Sequence, residues 1–108
     1  MERSKIVDIL MAPKLGNDVN IKGWVRTKRG SKGLSFVAIN DGSCIHNMQV
    51  VVDHSLFDAE ILKDITTGAA ISIIGKLTES QGRGQSVEIQ ASAIEIYGKA
   101  DPNSYPLQ

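Results

Sequence analysis

Apolar residues recur at every second position through most of this chain, and that alternation restricts it to short strands with one face in a core. Ile21, Gly23 and Val25 share one side of the first such segment, while Lys22, Trp24, Arg26 and Lys28 share the other. In the second, Ser35, Val37 and Ile39 oppose Leu34, Phe36 and Ala38. Met48, Val50 and Val52 face inward in the third, with Gln49, Val51 and Asp53 outward. Ile71, Ile73, Gly75 and Leu77 line the fourth. In the fifth, about Ser86 to Tyr97, the inward set Val87, Ile89, Ala91 changes parity to Ile94, Ile96, which requires one extra residue near Ser92, a bulge that bends the strand.

The period changes to helical spacing once inside this series. Leu56, Phe57, Ala59, Ile61 and Leu62 predict a short helix between the third and fourth strands, with Ser55 as its cap and Asp58 and Glu60 near the favourable end of its dipole. A second short helix is predicted over Ile6 to Met11, stopped by Pro13 and stable only if docked. Asp41-Gly42-Ser43 predicts a tight reversal, and Glu79 to Gln85 a polar loop. Three strands, a helix and two strands is the layout of an all-β, five-stranded Greek-key barrel of the oligonucleotide/oligosaccharide-binding (OB) type. In such barrels the second and third strands and adjoining loops hold the ligand.

A chain of 108 residues supports one core. The reading places a single domain at 1–99 and an extended connector at 100–108, which carries Pro102 and Pro106. A lone cysteine, Cys44, is expected in a reduced compartment, and with no apolar signal or membrane-length run the chain reads as cytoplasmic. Twelve basic residues balance twelve acidic ones, yet Lys22, Arg26, Lys28, Arg29 and Lys32 lie between Val19 and Asn40 with no acid among them. A neutral total therefore hides a basic strand.

No constellation supports catalysis. Cys44 and His46 lack the second pair of ligands a zinc site needs, and His54 reads as a solvated polar residue. Gly82-Arg83-Gly84 lacks the lysine and helix of a phosphate-cradling turn, and Asp41 and Glu88 are separated acids. What remains is a binding face. Phe36, Gln49 and Glu88 have outward parity on the second, third and fifth strands, beside the strand of Arg26, Lys28 and Arg29. An aromatic ring stacks on an unpaired base while cations hold its backbone. The Gln49 amide suits uracil if a neighbour fixes its orientation, and a carboxylate at Glu88 suits a base edge rich in N–H groups, such as guanine. The alternatives stay open: Phe36 covered by the first helix, Trp24 buried beneath it, Gln49 and Glu88 as solvated strand residues, and Lys22, Lys28 and Lys32 as a diffuse solvated face.

Gly23-Trp24-Val25-Arg26-Thr27-Lys28-Arg29, Ser35-Phe36, Asn40-Asp41-Gly42-Ser43, Gln49-Val50, Thr67-Gly68 and Val87-Glu88-Ile89-Gln90-Ala91-Ser92 closely resemble the amino-terminal anticodon-binding domain of bacterial asparaginyl-tRNA synthetases, class IIb. The ending Asp101-Pro102-Asn103-Ser104-Tyr105-Pro106 resembles the hinge of that branch. The resemblance implies that Phe36 stacks on the central anticodon uridine, that Gln49 and Arg29 contact the same base, and that Glu88 reads the first anticodon position. The partner implied is the anticodon loop of tRNA(Asn). It implies a parent ligase, dimeric through a catalytic domain that uses ATP and Mg2+, with no cofactor in this chain and no activity of its own. Simple alternation turns Arg26 and Lys28 outward rather than Arg29, so the role of Arg29 requires a bend before Gly30, and Arg26 stands as its substitute.

Overall fold

The structure, a computed structural model, describes residues 4–11, 14–79 and 87–98. The expectations placed on Pro13, on Gly82-Arg83-Gly84 and on the connector from Ala100 fall outside them. Helix α1 (Ile6–Met11) precedes strands β1 (Asp18–Ser31), β2 (Leu34–Asn40) and β3 (Met48–Asp53); helix α2 (Ala59–Asp64) follows, then β4 (Ala70–Glu79) and β5 (Val87–Gly98). The strands close into a barrel in the order β1-β2-β3-β5-β4. All pairings are antiparallel except β3 with β5, where Val50 lies opposite Ile89 and Val51 opposite Gln90. The mostly β, five-stranded OB barrel expected from the alternation is what the chain forms.

Inward parity fills the core with Ile21, Val25, Val37, Ile39, Met48, Val50, Val52, Ile71, Ile73, Leu77 and Ile89, all buried. Branched aliphatics at every second position suit a pleated wall, and their burial supplies most of the stabilisation. The strands approach closely where no side chain intervenes. A Cβ on Gly23 would overlap the Asn40 carbonyl, and one on Gly75 the Gln90 carbonyl. Bulges let the long strands curve. Against β4, Ile74 pairs with Ala93 and Gly75 with Ala91, so Ser92 is the extra residue, at the position where the apolar parity changes.

The turn and helix expectations need correction. Asp41-Gly42-Ser43 belongs to a longer connection of residues 41–47 and caps α1. The Asp41 Oδ2 accepts the Ile6 amide at 2.9 Å and the Ser43 hydroxyl accepts the Val7 amide at 3.1 Å. Those are orphan donors of a helix too short to persist alone. Partial burial works to raise the pKa of Asp41, but the bonds from the Ser43 hydroxyl, the Ile6 amide and the Ser43 amide outweigh it and hold the carboxyl below its ordinary value. With Ile6 and Ile9 in the core and the Ser4 amide on the Asn20 carbonyl at 2.7 Å, α1 plugs the barrel end. The helix expected to start at Ser55 is two pieces, a 3-10 turn at His54–Leu56 and then α2. Ser55 does not cap; its amide and hydroxyl donate to Asp53, the residue that does, and these bonds keep the Asp53 carboxyl below the usual carboxylate range. An acidic residue two positions before a donor pair is the better cap because an ionised oxygen accepts both.

Candidate nucleic-acid interface

The placement of Arg29 turns on one bulge. Val25 pairs with Ile39, but Thr27, not Arg26, pairs with Ala38, so Arg26 is the extra residue and the parity of β1 reverses after it. Arg29 then stands opposite Phe36, and Lys28 opposite the buried Val37. This corrects the simple alternation. Lys28 leaves the outer face, and its ammonium donates to the Leu62 carbonyl at 3.1 Å, a cation on the final turn of α2. Arg26 is exposed, and among the described residues it makes no hydrogen bond or ring contact to the other candidates.

The remaining four candidates come together. Ser35 and Val37 are buried on either side of Phe36, so its half-buried ring points out from β2. The Arg29 guanidinium lies 5.6 Å from the ring centroid, a cation–π contact of about 0.5–1 kcal/mol at an exposed site. α1 is anchored at Asn20 and at Asp41, which lies just past the end of β2 and five residues from Phe36, so its attachment lies toward the other end of the strand. Outward residues continue across the sheet: Ala38 opposes Gln49, Phe36 opposes Val51, and Val51 opposes Gln90.

At the far edge of this face sits Glu88, only 7% exposed. Its Oε1 accepts the Gln49 Nε2 at 3.0 Å and its Oε2 accepts the Gln90 Nε2 at 2.9 Å. A buried carboxylate is costly without such donors, and two amides, one on each oxygen, offset that cost. Gln49 and Glu88 are thus one unit and not two independent strand residues. An ionised carboxylate only accepts, so it takes the NH2 end of Gln49 and fixes the sense of that amide. Glu88 is thus a neighbour that fixes the orientation of the Gln49 amide.

Sequence reasoning missed Gln90. The available signal was its place two residues beyond Glu88, on the same face of the strand and of a type that can donate to a carboxylate. His54 also differs from expectation: it is half-buried, its Nε2 2.7 Å from the hydroxyl of buried Ser35. Trp24 is half-buried, with its ring edge against Gly42. The Cys44 thiol donates to the His46 carbonyl at 3.5 Å, and among the described residues no three His, Cys, Asp or Glu side chains gather as a metal site.

A closed five-stranded barrel with an aromatic, a guanidinium, an amide and a carboxylate on one outer face has the form of a nucleic-acid-binding OB domain. The family profile described as OB-fold nucleic acid binding domain, of the tRNA anticodon type, matches residues 19–97, and the chain belongs to that family. Its relatives are more particular. Over all 108 residues it is 63% identical to the asparagine-tRNA ligase of Porphyromonas gingivalis, covering 100% of this chain and 23% of the relative. The ligase of Cytophaga hutchinsonii is 54% identical over 110 residues, covering 100% and 24%. The chain therefore spans about a quarter of the length of the relatives it matches. Among solved structures, asparaginyl-tRNA synthetase from Pyrococcus horikoshii complexed with asparaginyl-adenylate superposes with a TM-score of 0.81 at 17% identity, over 100% of this chain and 24% of that one. The Entamoeba histolytica enzyme gives 0.71 at 26% identity, over 85% and 23%.

Proposed function

We propose that this barrel reads the anticodon loop of asparagine tRNA for an asparagine-tRNA ligase. The observation that carries the reading is the convergence of Arg29, Phe36, Gln49 and Glu88 on one outer face. Phe36 stacks on the central uridine, contributing about 1 to 3 kcal/mol, and Arg29 beside it meets the same nucleotide. Gln49 accepts from uracil N3–H in the sense that Glu88 imposes, and Glu88 offers acceptors to guanine at the first anticodon position. The exposed cations Lys22 and Arg26 of β1, and Lys32 in the turn after it, attract the phosphate backbone without selecting sequence.

The amino-acid chemistry of such a ligase, with ATP and Mg2+, belongs to a separate catalytic domain and to a dimer formed through it. Among the described residues no three His, Cys, Asp or Glu side chains are grouped so as to hold a metal ion. No helix among the described residues is long and apolar enough to cross a membrane, and we place the parent enzyme in the cytoplasm.

Competition between anticodon stem-loops that differ only at the central base tests the reading. The loop with uridine is expected to win by about tenfold or more, the discrimination that one well-made base contact supplies. Equal competition would make the chain a sequence-tolerant single-strand binder.

A further inference from the structure

Gln90 lies on the outer face of β5, exposed, next in the parallel ladder to Val51 and two residues from Glu88. Its Nε2 donates to the Glu88 Oε2 at 2.9 Å. A free glutamine is an ambivalent reader of bases, because a half-turn of the amide exchanges its donor for its acceptor. Beside Glu88 that freedom is gone. The reversed amide would set its carbonyl oxygen against a carboxylate oxygen, so only the NH2 end can face Glu88 and the carbonyl must face elsewhere. Gln49 occupies the other carboxylate oxygen in the same manner, which keeps the carboxylate from turning toward either amide alone.

Building on the anticodon reading, we infer that Gln90 is a specificity-determining residue whose carbonyl, oriented by Glu88, accepts an N–H from the first anticodon base. An ionised carboxylate has about four lone-pair sites, and the two amides take one on each oxygen. Acceptor capacity therefore remains at Glu88 beside the Gln90 carbonyl. Guanine matches this pair with its adjacent N1–H and N2–H2 groups. Adenine opposes it, because its N1 is itself an acceptor and would be desolvated against another.

The test measures binding of stem-loops with guanosine or adenosine at the first anticodon position to the parent chain and to Gln90→Met. Methionine keeps the length of the side chain and removes its polar end, and the exposed site should leave the barrel folded. The parent should prefer guanosine, and Gln90→Met should lose about fivefold to tenfold of that preference, the ratio one neutral hydrogen bond supplies. Preference for uridine at the centre and the thermal midpoint should stay at parental values. A parent and variant that discriminate equally would remove Gln90 from recognition. Loss of both base preferences together would make it a support of the fold and overturn the assignment. A parent without first-base preference would instead bring down the anticodon reading on which this one rests.

Discussion

Replacing Phe36 with alanine is expected to weaken binding of an asparagine anticodon stem-loop by about 1 to 3 kcal/mol, roughly 5- to 150-fold, with the barrel still folded. The ring is half-buried and points outward, whereas the core contacts of its strand are made by Val37 and Ile39 on the opposite side. Truncation therefore removes a stacking platform and leaves the inward wall unchanged. It also frees the Arg29 guanidinium from its place over the ring, so the cation becomes a less defined partner for the nucleotide. Phe36→Leu separates the two contributions: it retains apolar bulk without a π face and should fall between parent and alanine. Fluorescence anisotropy with a labelled stem-loop, beside thermal unfolding followed by circular dichroism, measures both sides. Parental affinity in Phe36→Ala would remove stacking from the account.

The second large effect is expected from Glu88→Gln, and it should be felt at two anticodon positions. If Gln49 and Glu88 were separate readers, the substitution would relax preference at the first base and leave the central one intact. The shared carboxylate predicts otherwise. Glu88 accepts from two amide NH2 groups, one on each oxygen, and charge-assisted bonds of this kind contribute about 1.5 to 3 kcal/mol each. A glutamine at this position has one oxygen. It can accept from Gln49 or from Gln90, while its own NH2 end confronts the NH2 of the other, which must turn over or lose its partner. Whichever amide turns presents the wrong end to its base. Preference for first-position guanosine, which also loses an acceptor of Glu88 itself, should fall by about fivefold or more, and preference for central uridine should fall with it to the extent that Gln49 is the amide that turns. A matrix of stem-loops varied at each position reads this directly, and intact preference at both positions would show that Gln49 and Gln90 are oriented by something other than Glu88.

Much of this was legible in the order of residues, for reasons that differ by element. Period-two alternation identified the five strands because each has one buried face, and the parity change around Ser92 located a bulge because it disturbs apolar residues that must stay inside. The bulge at Arg26 leaves no such mark. Beyond it β1 carries Thr27, Lys28 and Arg29 on an exposed strand end, with no apolar pattern to report the reversal, so Arg26 and Lys28 looked outward and Arg29 did not. The capping role of Asp41 and Ser43 was hidden for another reason. Their partners at Ile6 and Val7 lie 35 and 36 residues away, and only the closed barrel brings them together. Phe36, Gln49 and Glu88 could be placed on one face by parity, but the junction of Gln49 and Gln90 on a single carboxylate depends on the parallel pairing of β3 with β5. Nothing in local sequence specifies that pairing.

The central claim is that nucleobases are gripped by the outer face shared by β1, β2, β3 and β5. Backbone amide chemical shifts of the 15N-labelled chain, followed during titration with the asparagine anticodon stem-loop, test it most directly. The largest changes should fall at residues 27–29, 36–38, 49–51 and 88–90, with α2 and the far side of β4 little affected. Changes centred instead on α1 and the cavity lined by Ser4, Asp8, Lys14 and Asp18 would place the RNA at the wrong end of the barrel and contradict the account.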